Sequence, residues 1–259
     1  MKNIKYGLEG RTAVISGGTS GIGLAAAELL LLDGAKVFIL GRSGERGAEA
    51  VSLLEEKTGR RAVYISCDVS KISSCQAAAV QLKEQLTGSG LDILINSAGV
   101  YEEQRLERVT EADYDRIMDI NVKGTVFLTQ SMYGLLRDGG TAPAIVNIAS
   151  DAGISGNYGC PVYCASKGAV VALTKAWALD MAPTVRVNCV CPADVDTPLL
   201  HNQLTPDCGY TREDMAEAYP LGRIGRAEEI AHAICSIASP ANSFMTGSII
   251  AVDGGLTAK

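Results

Sequence analysis

Two histidines, one tryptophan and three phenylalanines occur in 259 residues, and each scarcity removes a class of function. With only His201 and His232 available, and no GxSxG elbow anywhere, a serine hydrolase would lack both its base and its nucleophile turn. Neither CxxC nor HExxH spacing occurs, so no metal site is expected; Cys189 and Cys191 are taken to point to opposite faces of one strand. Lysine and arginine never run longer than two and the net charge is −6, which makes nucleic acid and other polyanions poor partners. No apolar run approaches the ~18 residues of a membrane span, since the greasiest stretch, 24–32, is short and contains Glu28. Residues 1–11 are charged and carry no apolar core, so neither a secretion signal nor a membrane anchor is expected, and the expected setting is cytoplasmic. The eight cysteines are scattered through apparent strands and helices, a distribution of reduced, buried thiols rather than of a disulfide frame.

What is present is apolar and evenly spread. Hydrophobic residues make up 47% and charged residues 20%, enough to fill a core beneath solvated helices. Strand-like runs at 12–16, 36–40, 62–66, 91–95, 144–149, 185–190 and 248–252 alternate with helical patterns at 21–33, 45–58, 73–87, 112–137, 161–182 and 226–238. The alternation predicts a doubly wound (Rossmann-type) α/β fold, a seven-stranded parallel sheet flanked by helices on both faces, as one domain over 1–259. The runs are almost wholly apolar, as strands covered on both faces must be. Only 193–225 breaks the rhythm, and its length and mixed polarity predict a substrate-binding loop.

Two local patterns carry chemistry. The first strand runs into Ser16-Gly17-Gly18-Thr19-Ser20-Gly21-Ile22-Gly23 and then opens a helix. Glycines there allow a tight turn and close approach of backbone N–H groups and the positive helix end to a pyrophosphate. Further on, Tyr163 and Lys167 stand four apart and therefore on one helix face, where a phenol and an amine can share a proton-transfer task. An adjacent ammonium is expected to favour the phenolate.

These pieces together resemble the classical short-chain dehydrogenase/reductase family, whose turn reads TGxxxGIG. The likeness covers roughly 8–255 and includes Asp68-Val69, Asn96-Ser97-Ala98-Gly99, Asn121, Ser150, Tyr163 with Lys167, and the turn from Pro192 to Thr197. It implies Tyr163 as general acid/base, Ser150 holding the reacting oxygen, Lys167 beside them and Asn121 organising a water near the lysine. It also implies a nicotinamide dinucleotide against Gly17, Thr19, Ser20, Gly21, Ile22 and Gly23, with Asp68 and Val69 at the adenine and Asn96, Ala98 and Gly99 along the ribose. Tyr163 and Lys167 would hold the second ribose, and Pro192, Val195 and Thr197 the carboxamide. Homotetramers or homodimers are usual in the family. The chain departs from the pattern at Ser97, where a second Asn is common, and at Ala193, where Gly is common and a positive φ would strain alanine.

The second strand ends Leu40-Gly41-Arg42-Ser43, with no acid before Glu45. A carboxylate there would bind both ribose hydroxyls, whereas Arg42 can pair with a 2′-phosphate, so NADP(H) is preferred and NAD(H) stays possible. The substrate wall is expected to hold Ser150, Asp151, Asn157, Tyr158, Tyr163 and parts of the long loop, which suits a small alcohol or ketone. No basic cluster offers a dock for an acidic carrier protein. The competing reading is a dinucleotide sensor of the same fold without catalysis.

Overall fold

Strands apolar on both sides can be buried only in a parallel sheet covered twice by helices, and the chain builds that sheet. The computed structural model describes residues 4–86, 88–204 and 209–258. The strands are β1 (Thr12–Ser16), β2 (Lys36–Gly41), β3 (Val63–Ser66), β4 (Ile93–Asn96), β5 (Ala144–Ile148) and β6 (Arg186–Pro192). A two-residue pair follows, β7 (Val195–Asp196) with β8 (Gly225–Arg226), and β9 (Ile249–Val252) completes the main sheet. Its order is β3-β2-β1-β4-β5-β6-β9, seven strands, every neighbouring pair parallel. The helices are α1 (Gly21–Leu32), α2 (Gly44–Thr58), α3 (Ile72–Leu86), α4 (Glu111–Met118), α5 (Gly124–Gly139), α6 (Pro161–Asp180), α7 (Pro198–Gln203), α8 (Arg212–Glu217) and α9 (Ala227–Ala238).

Alternation along each strand feeds two cores. Ile15 and Ile39 point into one with Leu30 of α1 and Ile234 of α9, while Val14 and Phe38 point into the other with Leu82 of α3 and Met132 of α5. Strand order reverses at β1 and β4, with β2 and β3 added on one side and β5, β6 and β9 on the other, the switch point at which such folds open a crevice.

Three expectations need correction. The pattern at 112–137 is not one helix: α4 and α5 are joined by a π-helical turn, Asp119–Lys123. That turn carries Asn121, whose Oδ1 accepts from Val100 N at 2.9 Å and whose Nδ2 donates to Val100 O and to Ser166 Oγ, each at 3.0 Å. The long segment 193–225 is not simply loop, because Pro198 opens α7 and a Thr211–Asp214 capping box opens α8. Positions 205–208 of that segment, Pro206 among them, lie outside the described residues, as does position 87 at the end of the third predicted helix. Cys189 and Cys191 do not face apart; residues two apart on a strand share a face, and their sulfurs are 3.8 Å apart.

A polar rivet crosses the sheet centre. Asn147, fully buried on β5, accepts from Asn96 Nδ2 at 2.8 Å and donates to Thr174 Oγ1 of α6 at 2.9 Å, while Asn96 also donates to Thr129 of α5 at 2.9 Å. Replacing Asn147 with Ala strands a buried donor and empties space, so we expect a loss of about 2 kcal/mol, read from urea unfolding. An unchanged midpoint would refute this role for the rivet.

Candidate active site

The crevice at the switch point is a cavity of about 1350 Å³ running over the carboxyl ends of the strands. Its floor is the turn between β1 and α1. Gly17 adopts φ 67° so that the chain can double back, and a Cβ there would lie 2.9 Å from Ala98 Cα. At Gly23 a Cβ would lie 2.4 Å from Gly17 O, so only glycine lets α1 start this close to the strand. Ser16 Oγ fixes the facing loop, accepting from Ser97 N and Ala98 N at 3.1 Å each. The Ser97 departure leaves this anchorage intact, because the bonds use backbone. Ser20 puts no side-chain cap on α1, which leaves the first-turn N–H groups and the positive helix end directed to the cavity.

The remaining expected cofactor contacts fall along one wall. Thr19, Ser20, Gly21 and Ile22 continue into Arg42 at the end of β2, then Asp68 and Val69 after β3, with Ala98 and Gly99 opposite and Pro192, Val195 and Thr197 at the far end. Arg42 and Arg46 both line the cavity beside the α2 N-terminus, and neither forms an ion pair among the described residues. Asp68 is held below the usual carboxylate range: burial pushes it up, but hydrogen bonds from Ser70 and the charges of Lys71 and Arg42 outweigh that. Ala193 has no positive φ, since the one such non-glycine among the described residues is Ala142, so the Gly-to-Ala departure costs no strain. These groups fit a nicotinamide dinucleotide: glycines that a Cβ would block, an uncapped helix mouth for a pyrophosphate and two unpaired cations at the ribose end.

The residues expected to transfer a proton gather where α6 crosses the end of β5. Tyr163 and Lys167 are both buried on one face of α6, with Lys167 Nζ 5.7 Å from the Tyr163 ring centre and donating to Ile148 O at 3.0 Å. Ser150 follows β5 and donates to Asp151 Oδ1 at 2.7 Å. Asn157 donates to the other oxygen, Asp151 Oδ2, at 3.1 Å. Tyr101 packs edge-on against Tyr163, ring centres 4.9 Å apart.

Two expected residues stand behind the wall rather than on it. Asn96 spends its side chain on the rivet described above, and the side chain of Asn121 is fully engaged with Val100 and Ser166, the latter bonding to Tyr163 O at 2.7 Å. Sequence reasoning missed Arg46, Tyr101, Glu103 and Asp194, which line the cavity. Arg46 had a signal, one helical turn after Arg42; Asp194 had none, because its direction depends on how the turn after β6 folds. Among the described residues no three potential metal ligands lie together and no helix is long and apolar enough to cross a membrane.

Comparison with known proteins agrees with this geometry. The family model described as Enoyl-(Acyl carrier protein) reductase matches residues 17–257. The crystal structure named short-chain dehydrogenase/reductase, glucose/ribitol dehydrogenase, from Brucella melitensis superposes with a TM-score of 0.88 at 32% identity, covering 98% of this chain and 99% of that one. The chain belongs to the classical short-chain dehydrogenase/reductase family. Two relatives show the range of this family around the chain. The 3-oxoacyl-[acyl-carrier-protein] reductase FabG of Thermotoga maritima is 35% identical, and the cis-4-hydroxycyclohexanecarboxylate dehydrogenase of Sinomonas cyclohexanicum is 37% identical. Each alignment spans 96% of this chain, with 98% and 97% of the relative. The chain is thus an oxidoreductase of the short-chain dehydrogenase/reductase type, and the family implies a nicotinamide nucleotide.

In this short-chain dehydrogenase/reductase the expected sharpening of the phenol by the ammonium is not what dominates. Burial pushes Tyr163 above its ordinary value; contact with the Ser150 hydroxyl pulls it down, and the negative charges of Asp151 and Asp194 push it up again. Burial also brings Lys167 down to about 8. Between that value and the ordinary 10.5 the unfolded chain holds a proton that the folded chain has released, so stability gained from this group rises with pH there. Relative to Lys167→Met, the parent should therefore grow more stable from about pH 8 to about 10.5 in urea unfolding. Parallel curves for the two proteins would refute the depressed lysine.

Proposed function

We propose that the chain moves a hydride between NADP(H) and a small alcohol or ketone, with Tyr163 as general acid and base. The observation that carries this reading is the buried cluster of Tyr163, Lys167 and Ser150 on the same cavity as the glycine turn. A bound nicotinamide would supply the hydride acceptor or donor. In reduction Tyr163 gives its proton to the carbonyl oxygen, which Ser150 holds in place; in oxidation it takes the proton from the hydroxyl. A phenol raised by burial suits the acid role without help, and the base role calls for the added positive charge of Lys167 and an oxidised nicotinamide. Asn121 acts as a positioning residue through Ser166. Asn157 braces Asp151 at the substrate end.

Arg42 favours NADP(H), and Arg46 adds a second cation at the same end, with NAD(H) as the lesser alternative. A 3-oxoacyl thioester is the second substrate reading, favoured by the name of the Thermotoga maritima relative. Against it stand a sequence in which lysine and arginine never run longer than two, which offers little to an acidic carrier, and the acids Asp151 and Asp194 on the cavity wall. Assembly as a homotetramer or homodimer is supported by apolar side chains left outside: Leu179 of α6 is 81% exposed and Phe244, just before β9, is fully exposed.

Tyr163→Phe is expected to lower kcat at least ~10³-fold in an assay of nicotinamide absorbance, with cofactor binding by fluorescence titration weakened by no more than about tenfold, the loss of one ribose hydrogen bond. Undiminished turnover would end the catalytic reading, and silence of the parent across alcohols and carbonyls despite tight cofactor binding would favour the sensor. Arg42→Asp should shift the ratio of kcat/KM for NADP over NAD toward NAD by roughly tenfold to hundredfold. An unmoved ratio would remove Arg42 from the phosphate site.

A further inference from the structure

Two carboxylates without a cation flank the phenol at the substrate end of the cavity. Asp151 is only 5% exposed, and its oxygens accept from two neutral donors, Ser150 and Asn157. Asp194, half-buried on the turn after β6, accepts from the Tyr219 hydroxyl at Oδ2, 2.6 Å, while its own N–H donates to the same phenol at 3.0 Å. Its Oδ1 accepts no hydrogen bond among the described residues, and neither acid forms an ion pair there. Lys167, the buried cation of the site, spends a proton on Ile148 O instead.

Carboxylates without an ion-pair partner on a partly buried wall repel an anion and leave acceptor oxygens that only a donor can satisfy. Asp151 lies one hydrogen bond from Ser150, the hydroxyl expected to hold the reacting oxygen, so a group it meets belongs to a carbon adjacent to the reacting one. We propose that Asp151 and Asp194 are specificity-determining residues that select an uncharged vicinal diol, or the matching α-hydroxy carbonyl, by accepting hydrogen bonds from the hydroxyl beside the reacting carbon. This rests on the oxidoreductase reading above and narrows it to polyol-like substrates. The diol step would balance simply: the carbinol carbon would give a hydride to the oxidised nicotinamide and its hydroxyl proton to the Tyr163 phenolate, leaving a C=O bond, a neutral phenol, a reduced nicotinamide and an unchanged neighbouring hydroxyl. Burial holds Asp194 above the ordinary carboxylate range even against the Tyr219 hydrogen bond, with Asp151 adding to the rise, which suits an uncharged hydroxyl partner better than an ammonium.

A matched ring series isolates the neighbouring group: cyclohexanol, cyclohexane-1,2-diol, 2-aminocyclohexanol and 2-hydroxycyclohexanecarboxylate, each with saturating cofactor. The diol should exceed cyclohexanol by at least about tenfold in kcat/KM, with the hydroxy acid lowest. Asp194→Asn and Asp151→Asn should each shrink the diol-to-cyclohexanol ratio several-fold, mainly through KM, and raise the hydroxy acid relative to the diol. The ranking of the parent enzyme stands as a test even if a variant folds poorly. Turnover in which the hydroxy acid or the amino alcohol leads, or a diol preference that both variants keep, overturns the selection while leaving the oxidoreductase reading in place. Silence in every arm and both directions overturns that reading and the selection together.

Discussion

The bond from Lys167 Nζ to Ile148 O ties α6 to the carboxyl end of β5, and the substrate end of the cavity depends on that tie. It spends a buried cation on a backbone carbonyl, an expensive arrangement that burial makes visible as a lysine brought down to about 8. In return the helix cannot rotate without stranding the ammonium. Tyr163, one turn earlier on the same face, is thereby fixed over the end of the sheet. The Asn147 bond to Thr174 pins the same helix two turns further along, so α6 is held to β5 at two depths by polar contacts and between them by packing.

That constraint explains why the departures from family pattern leave the geometry undisturbed. Ser97 sits where the loop is anchored by its own N–H to Ser16, so the side chain is free to vary. Ala193 sits on backbone that alanine adopts freely. The wall around Asp151 and Asp194, and beside α7 and α8, is held differently. There the wall is tied by side chains to side chains: Tyr219 to Asp194, and Arg212 with His201 to Asp196. The loop after β4 and the Lys167 amine are thus held by contacts to backbone, whereas this part of the wall is held by contacts between side chains.

The same division decides what was legible in the sequence. Period and composition announced the seven strands because each is mostly apolar, and the glycine turn and the four-residue spacing of Tyr163 and Lys167 are local patterns that need no tertiary knowledge. The break at Asp119–Lys123 was not legible, because nothing in the local pattern marks a π turn; it is held by Asn121 reaching 21 residues back to Val100. Asn96 misled for the converse reason: its place in a family pattern suggested a ligand, while its side chain bonds to Asn147 and Thr129, 51 and 33 residues distant. The helices α7 and α8 carry clear start signals, Pro198 and the Thr211 box, but at six residues each they are too short for periodicity to register.

The electrostatics of the site also follow from tertiary placement alone. From spacing, a phenol beside an amine reads as an activated base; in the folded protein the phenol meets burial and two carboxylates first, and the amine is turned to Ile148 O. Burial and these carboxylates outweigh the pull of the Ser150 hydroxyl and raise the phenol, and positive charge arriving beside it would act in the opposite direction. A dinucleotide with an oxidised, cationic ring would bring that charge, and a reduced, neutral ring would not.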